Sequence, residues 1–305
     1  MLREGTYDDI PRAAPMRQRA WPDAIVTAEG MRHFLENVPD RAEMRLLAWE
    51  EKDELVGWAT VARTWWMADT THGHVTIAVD PEHRGRGIGG SLADAIEPHL
   101  SALGLTTSRG DSLDEPGARA LASGRGYREV GSSSVSAVDP ATVEPLPVPE
   151  GVRIVPFAEL DDPEPIWRLD MEVSQDIPNE TFESITLEEW TSDYWRSPIL
   201  DDDASMAAFV DGRLAAITLI RIDRPSGRAQ NNLAGTLREF RGRGLATLLK
   251  SHSLRRAAEL GATIAITDNE EANAPMLAVN TRLGYRPFAR RLTWERVVEP
   301  ARPAG

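Results

Sequence analysis

The sequence repeats itself over half of its length, and this constrains the fold more than any other feature. Three landmarks recur in the same order at nearly constant spacing: RGRGIGGSL at 84–92 and RGRGLATLL at 241–249, GYR at 126–128 and 284–286, and LR at 2–3 and VR at 152–153. Chance similarity of loops rich in arginine and glycine does not preserve both order and spacing. The chain is therefore predicted to hold two copies of one domain.

A proline-rich segment separates the two copies. Residues 138–153 contain four prolines, and proline removes a backbone donor and holds the chain extended. This composition predicts a linker. We expect a first domain at residues 1–140, a linker at 141–151 and a second domain at 152–305.

Each half shows the same order of hydrophobic patterns. Segments rich in β-forming residues predict strands, and apolar positions at helical spacing predict helices. The first half gives strands at 44–50, 55–63 and 73–79 and a helix at 87–103; the second gives strands at 205–211, 213–222, 229–237 and 263–267 and helices at 244–260 and 273–283. The fold class expected is α+β, with a mixed, mostly antiparallel sheet flanked by helices in each domain.

Composition excludes several kinds of protein. The 305 residues carry a formal net charge of −14, which disfavours nucleic acid and an anionic membrane as partners. There is no cysteine, so disulfides, zinc–thiolate sites and thiol nucleophiles are excluded, and no metal site is expected. The first residues lack the pattern of a secretory signal, and no apolar run is long enough to span a bilayer. We expect a cytoplasmic protein, monomeric or homodimeric.

A glycine- and arginine-rich loop follows the strand that ends near Val79, and a helix begins near Gly87. A loop of this kind directs several backbone N–H groups to one point, at the positive end of a helix dipole. Glycine lets the backbone approach a ligand closely, and Arg84 and Arg86 add positive charge. The pattern predicts an anion site suited to a pyrophosphate, rebuilt in the second half at residues 235–249.

Three other interpretations of the loop were weighed. An RNA-binding RGG motif is typical of a disordered, basic context, which this acidic chain does not offer. A Walker loop fails because no Gly-Lys-Ser/Thr follows. Gly85, Gly87 and Gly90 match the GxGxxG dinucleotide fingerprint, but each half opens with hairpin-like strands rather than a βαβ unit. A nucleotide-binding protein stays open as an alternative.

The pattern Arg-x-x-Gly-x-Gly/Ala directly after a strand resembles the acetyl-CoA loop of the GNAT N-acetyltransferase superfamily. Residues 84–89 and 241–246 both fit it, and NAPMLAVNTRLGYRPF at 273–288 resembles the next element of that family. Two such loops in one chain resemble the tandem GNAT proteins of actinobacteria, a group that includes mycothiol synthase. The resemblance implies two tandem GNAT-like domains and acetyl-CoA as the cofactor.

The resemblance also implies which residues contact CoA. The implied pantetheine contacts are Ile77, Ala78, Val79, Ala234, Gly235 and Thr236, with Asn273 on the cofactor arm. The implied pyrophosphate contacts are Arg84, Gly85, Arg86, Gly87, Ile88, Gly89, Gly90 and Ser91 in the first half and Arg241, Gly242, Arg243, Gly244, Leu245, Ala246 and Thr247 in the second.

The sequence departs from the family at the tyrosine that protonates the leaving thiolate in many GNAT enzymes. Its position, four residues before the glycine of the Leu-Gly-Tyr turn, holds Asn280 in the second half and Ala122 in the first. Asn280 can donate a hydrogen bond to sulfur but cannot act as a general acid. Glu115 stands where the second half has Asn273, and its charge would repel pyrophosphate. The second domain is therefore the expected catalytic one.

An amine acceptor must lose a proton, so we searched for a base. The strand 229–237 carries no acid or histidine, and His74 of the first half is expected to lie at the surface. The candidate acceptor segment 171–195 carries Asp176, Glu180, Glu183, Glu188, Glu189, Asp193 and Tyr194. Asp176, just before an Ile-Pro pair, is the preferred pocket residue. Trp190 and Trp195 could line the pocket, although core packing is the favoured interpretation.

The leading hypothesis is an acetyl-CoA-dependent N-acetyltransferase that acts on a small-molecule amine by direct transfer in a ternary complex. Asn280 and Asp176 are the candidate catalytic residues. The alternative is an acyl-CoA-binding or sensor protein with little catalysis, which the missing tyrosine favours. Release of CoA with a panel of amines distinguishes the two.

Overall fold

The computed structural model describes residues 1–66, 71–176 and 185–298. The chain divides into two compact units. Unit 1 comprises Met1–Ser132 together with the chain from Arg290, and unit 2 comprises Ser133–Ala289.

Unit 1 contains a mixed sheet flanked by helices. Its strands are β1 (Leu2–Glu4), β2 (Arg45–Glu51), β3 (Glu54–Arg63), β4 (His72–Val79), β5 (Thr107–Leu113) and the last strand of the chain, β12 (Arg286–Val297). They are hydrogen-bonded in that order, and all pairs are antiparallel except β4 with β5. The helices are α1 (Ile10–Ala20), α2 (Ala28–Asn37), α3 (Ile88–Ala102) and α4 (Pro116–Gly124).

Unit 2 repeats this arrangement. Its strands in sheet order are β7 (Val152–Pro156), β8 (Met206–Val210), β9 (Arg213–Asp223), β10 (Arg228–Thr236), β11 (Ile264–Glu270) and β6 (Arg128–Val138). All pairs are antiparallel except β10 with β11. The helices are α5 (Glu164–Ser174), α6 (Leu187–Trp190), α7 (Leu245–Glu259) and α8 (Ala274–Arg282).

Hydrophobic side chains buried between the sheet and the helices stabilise each unit. In unit 1, Trp58 packs with α1 residues on one face, while Leu92 and Ile96 of α3 cover the other. In unit 2, Leu248 and Leu249 of α7 pack against β8 and β9. The strands and helices predicted in both halves are present within a few residues of their expected ends, and the α+β fold class is confirmed.

Each unit takes its final strand from the other half of the sequence. Residues 291–297 of β12 pair with β5, so the C-terminal segment completes the sheet of unit 1. Residues 133–138 of β6 pair with β11 and complete the sheet of unit 2. The compact units therefore have limits different from the sequence halves expected at 1–140 and 152–305, because strand pairing joins residues distant in sequence.

The parallel pair β10–β11 separates before either strand ends. Its ladder runs only from Arg228–Ile264 to Asn231–Thr267. Beyond that point β10 remains paired with β9 as far as Thr236, and β11 remains paired with β6 as far as Glu270. The two strands thus diverge within one sheet and leave backbone groups of β10 without a ladder partner on that side.

Within the described ranges, no helix is both long and apolar enough to cross a membrane.

The role of β12 in unit 1 can be tested at a single side chain. Leu292 is fully buried on this strand, and Val297 on the same strand is 68% exposed. We expect Leu292→Ala to lower the free energy of unfolding by about 2–5 kcal/mol, because it removes buried methyl groups and leaves a cavity. Val297→Ala is the matched control and should change it by less than about 0.5 kcal/mol. Chemical denaturation measures both, and equal small effects would contradict the exchange of strands.

Candidate functional site

A cavity of about 640 Å³ in unit 2 opens where β10 and β11 diverge. It is lined by β10 and β11, by the loop before α7 and by the start of α8. Of the residues predicted to contact CoA, the following line it: Ala234, Gly235, Thr236, Arg241, Gly242, Gly244, Leu245, Ala246, Thr247 and Asn273. The structure therefore brings together nearly all the cofactor contacts expected in the second half.

The loop before α7 presents backbone donors to this cavity. Gly242 and Gly244 have φ of +74° and +76°, a left-handed conformation that favours glycine, and Gly244 is the N-cap of α7. In the described part of the chain, no hydrogen bond is donated by the backbone N–H groups of residues 242–247. These groups lie at the positive end of a helix 15 residues long. The arrangement is an anion site of the kind that binds a pyrophosphate.

Arg241 fixes this loop to two neighbouring elements. Its Nε donates to the Thr236 carbonyl at 3.0 Å, and its guanidinium also pairs with Asp176, just beyond α5. Arg238 binds the same carboxylate. The two arginines, Arg238 first, hold the pKa of Asp176 well below its usual range. Asp176, predicted as a pocket base, thus lines the cavity as the ionised partner of two arginines, an arrangement in which it is a weak proton acceptor.

The end of β10 approaches α5 closely. A Cβ on Gly235 would lie 2.4 Å from Cγ2 of Val173, so this position requires glycine. Arg243 lies outside the cavity lining, with its guanidinium 5.3 Å from the centre of the Phe240 ring. Asn273 is the N-cap of α8, where its side chain accepts a hydrogen bond from the Met276 N–H at 3.3 Å.

Three polar side chains beside the cavity are linked by hydrogen bonds. Lys250 of α7 is 1% exposed, and its Nζ donates to Oδ1 of Asn280 at 2.6 Å. Nδ2 of Asn280 donates to Oδ1 of Asn269 at 2.6 Å. Asn269 and Lys250 line the cavity, whereas Asn280, predicted to contact the sulfur, is 3% exposed and lies behind Asn269. Burial lowers the pKa of Lys250 to about 7.

Lys250 was missed by the sequence reasoning. A signal was available: the chain has only two lysines among 34 lysine and arginine residues, and this one interrupts the apolar face of the helix at 244–260. An arginine cannot lose its proton in a protein, whereas a buried lysine can. The choice of lysine at a fully buried position therefore indicates a role beyond surface charge.

Unit 1 has the same loop but a smaller cavity, of about 290 Å³. Gly85 and Gly87 have φ of +75° and +82°, as in unit 2. Arg84, however, forms an ion pair with Glu115 at 2.8 Å, and both residues line the cavity. The carboxylate that was expected to repel pyrophosphate thus engages the arginine of the anion loop.

The predicted contacts of the first half are arranged as follows. The cavity of unit 1 is lined by Ile77, Ala78, Val79, Arg84, Gly85, Gly87, Ile88, Gly89 and Gly90. Arg86 instead donates to the Glu82 carbonyl, and the Ser91 hydroxyl donates to the Gly87 carbonyl.

The polar chain of unit 2 has no counterpart in unit 1. The equivalent positions, 157 or 158 residues earlier, hold Ala93, Ala122 and Ser112. These three residues line a separate small cavity of about 130 Å³ whose surface is mainly apolar.

His74, expected at the surface, is half-buried on β4. The side chain packs edge-on against Trp66, with 5.8 Å between ring centres, and burial lowers its pKa while Asp111 opposes that shift.

The tryptophans of the predicted acceptor segment pack in the core, as favoured. Trp190 is fully buried, and its Nε1 donates to Oδ2 of Asp170 at 2.7 Å. Trp195 stacks on Phe157 with 5.4 Å between ring centres. Glu180 and Glu183 lie outside the described residues. In the described ranges, no group of three or more histidine, aspartate or glutamate side chains is placed to hold a metal ion.

Comparison with known proteins defines the family. The model of the acetyltransferase (GNAT) family matches residues 10–127 and again residues 168–285. The chain therefore belongs to the GNAT acetyltransferase family and carries two of its domains in tandem. Membership of this family makes it an N-acetyltransferase.

Curated relatives and solved structures agree with this assignment. A mycothiol acetyltransferase of Clavibacter michiganensis is 29% identical over 218 residues, which cover 70% of this chain and 69% of the relative. One of Clavibacter sepedonicus is 29% identical over 253 residues, or 80% and 78% of the two chains. A tandem GNAT protein from the clavulanic acid biosynthesis pathway shares the fold, with a TM-score of 0.76, 21% identity and 99% coverage of both chains.

The burial of Lys250 predicts a pH-dependent stability. Its pKa is about 7 in the folded protein and 10.5 ordinarily, so between these values the unfolded chain binds more protons and stability rises with pH. Lys250→Met removes this slope. The free energy of unfolding of Lys250→Met, minus that of the wild type, should be largest at or below pH 7. This difference should fall by up to about 1.4 kcal/mol for each pH unit between pH 7 and 10.5.

Chemical denaturation across this pH range measures the difference. The matched control is Lys52→Met, which replaces the only other lysine at an exposed turn and should give a flat profile. A flat profile for Lys250→Met as well would contradict a desolvated, titrating lysine.

Proposed function

We propose that this protein transfers the acetyl group of acetyl-CoA to a small-molecule amine, and that unit 2 carries the reaction. The observation that carries the proposal is the set of backbone N–H groups at residues 242–247. They have no hydrogen-bond partner in the described part of the chain, and all of these residues except Arg243 line the cavity between β10 and β11. A pyrophosphate satisfies such donors with its oxygens.

The pantetheine arm fits the open edge of β10. Beyond Asn231 this strand has no ladder partner on the side of β11, so an extended ligand with amide groups can pair with its backbone as an added strand does. The arm then runs from the loop at 241–247 towards the point where β10 and β11 meet, at Asn231 and Thr267. The part of the cavity lined by β11, with Asn269, would then hold the thioester.

Direct attack of the amine on the thioester is the mechanism that suits this chain. The absence of cysteine excludes a thioester-linked acyl-enzyme. The protein contributes by holding donor and acceptor together and by placing N–H donors where negative charge develops. Asp268 and Glu270 give the cavity wall a negative lining, which suits a cationic amine.

Unit 1 is proposed to act as a structural partner. Its anion loop has the geometry of the second loop, but its cavity is less than half as large, and Glu115 stands there at the position of Asn273. The cytoplasmic location and the monomeric or homodimeric state stay predictions.

The acceptor is best sought with a panel of amines, in which mycothiol acetyltransferase activity deserves a place because two relatives carry that name. Asn280 at the tyrosine position favours the alternative, an acyl-CoA-binding protein with little turnover. A thiol-reactive dye follows CoA release. Release with at least one amine supports the enzyme, and tight binding with no release from any amine supports the alternative.

The site of CoA binding is tested by one pair of variants. Gly244→Asp places a carboxylate against the pyrophosphate, and we expect affinity for acetyl-CoA to fall by about 100-fold or more. Gly87→Asp makes the same change in unit 1 at nearly the same φ, so the backbone strain is matched, and affinity should stay within about threefold. Calorimetric titration measures both. Loss of acetyl-CoA binding in Gly87→Asp, with binding retained in Gly244→Asp, would mean that unit 1 holds the CoA site.

A further inference from the structure

The hydrogen bonds of Lys250, Asn280 and Asn269 have a fixed direction. Nζ of Lys250 donates to Oδ1 of Asn280 at 2.6 Å, so the amide oxygen of Asn280 is turned towards the lysine. Nδ2 of Asn280 is therefore turned the other way, towards Asn269. Asn269 receives this hydrogen bond on its own oxygen, where Thr267 also donates from 3.5 Å. Each step follows from the one before it, and the first is imposed by the lysine.

The last group in the chain is the Nδ2 amide of Asn269. Its oxygen is engaged by Asn280 and Thr267, and no described residue accepts a hydrogen bond from its nitrogen. Asn269 lies two residues beyond Thr267, the last residue of β11 that pairs with β10, and it lines the cavity. The result is an oriented N–H donor close to the apex of the cleft, on the side opposite the open edge of β10.

We propose that Asn269 is the catalytic hydrogen-bond donor to the sulfur of the departing CoA, and that Lys250 and Asn280 are positioning residues that hold its amide in this orientation. The inference rests on the proposed function. In the step concerned, the amine nitrogen forms a bond to the acetyl carbon and the carbon–sulfur bond breaks. The sulfur keeps the electron pair as a thiolate, and the proton lost by the amine goes to water.

The role assigned to this chain is to stabilise a thiolate without giving up a proton. An amide N–H is not an acid at any relevant pH, but a donor directed at a developing anion in a cavity lowers the energy of that anion. Nζ of Lys250 is buried away from water, so its hydrogen bond to Asn280 is stronger than it would be in water.

Unit 1 provides an internal comparison. Ala93 and Ala122 stand in place of the lysine and the first asparagine, and Ser112, the residue equivalent to Asn269, accepts a hydrogen bond from Nε1 of Trp294 at 2.9 Å instead. The three-residue chain thus occurs in the unit whose cavity is large enough to be the working site, and it is missing where Glu115 engages the loop.

The test measures the pKa of the thiol of bound CoA and needs no amine acceptor. CoA is bound to the full-length protein, and the ultraviolet absorbance of its thiolate is followed with pH. In the wild type we expect the pKa of the bound thiol to lie at least about one unit below that of free CoA, because the Asn269 donor favours the anion. Lys250→Met and Asn269→Ala should both return it towards the free value.

Two controls separate orientation from packing. CoA affinity should stay within about threefold in both variants, and Ala93→Met, at the equivalent place in unit 1, should leave the thiol pKa unchanged. Lys250→Arg keeps a side chain that can donate to the Asn280 oxygen, and it should restore part of the shift. Asn269→Ala changes only a side chain of the cavity wall. It therefore tests the effect of this donor on the thiol pKa even if Lys250→Met fails to fold.

The outcomes distinguish the two proposals. A wild-type protein that binds no CoA overturns the proposed function and this inference with it. A protein that binds CoA, but whose thiol pKa is the same in the wild type, Lys250→Met and Asn269→Ala, overturns the inference alone. Return of the thiol pKa in both variants at unchanged affinity supports it.

Discussion

The separation of β10 from β11 after Asn231 and Thr267 is the constraint on which the site depends. Each strand keeps its other neighbour, so the sheet stays intact while a cleft opens inside it. The cleft exposes one backbone edge of β10, places Asn269 on the facing wall and has the anion loop at its wide end. An elongated ligand with an anionic end and amide groups fits these three features together. A sheet paired along its whole length would have no open edge on β10 and no cleft between β10 and β11.

The two units show which features the copies share and which features differ between them. Both keep the left-handed glycines and the helix N-terminus behind them, because the loop conformation depends only on local backbone. The chemistry around the loop has diverged. In unit 1 Glu115 stands at the position of Asn273, and alanines replace the buried lysine and asparagine. A fold can thus be retained in both copies while the reaction is supported in one.

Local pattern made much of this fold predictable. Alternating and helical apolar spacing located strands such as Glu54–Arg63 and helices such as Leu245–Glu259, and the glycine positions located the anion loop. The exchanged strands could not be located in this way, since both halves carry the same landmarks and pairing between distant segments leaves no local mark. Lys250 and Asn280 lie 30 residues apart, so their contact also requires the tertiary structure. Asp176 was placed near the pocket, but its two arginine partners were not expected.

The most direct test of the account is hydrogen exchange of the backbone amides with and without acetyl-CoA. If unit 2 is the working site, added acetyl-CoA should slow exchange at residues 242–247 and at the end of β10, since those N–H groups gain acceptors. The equivalent amides at residues 85–90 should exchange as before. Slower exchange confined to residues 85–90, or no change in either loop at saturating acetyl-CoA, would contradict the account.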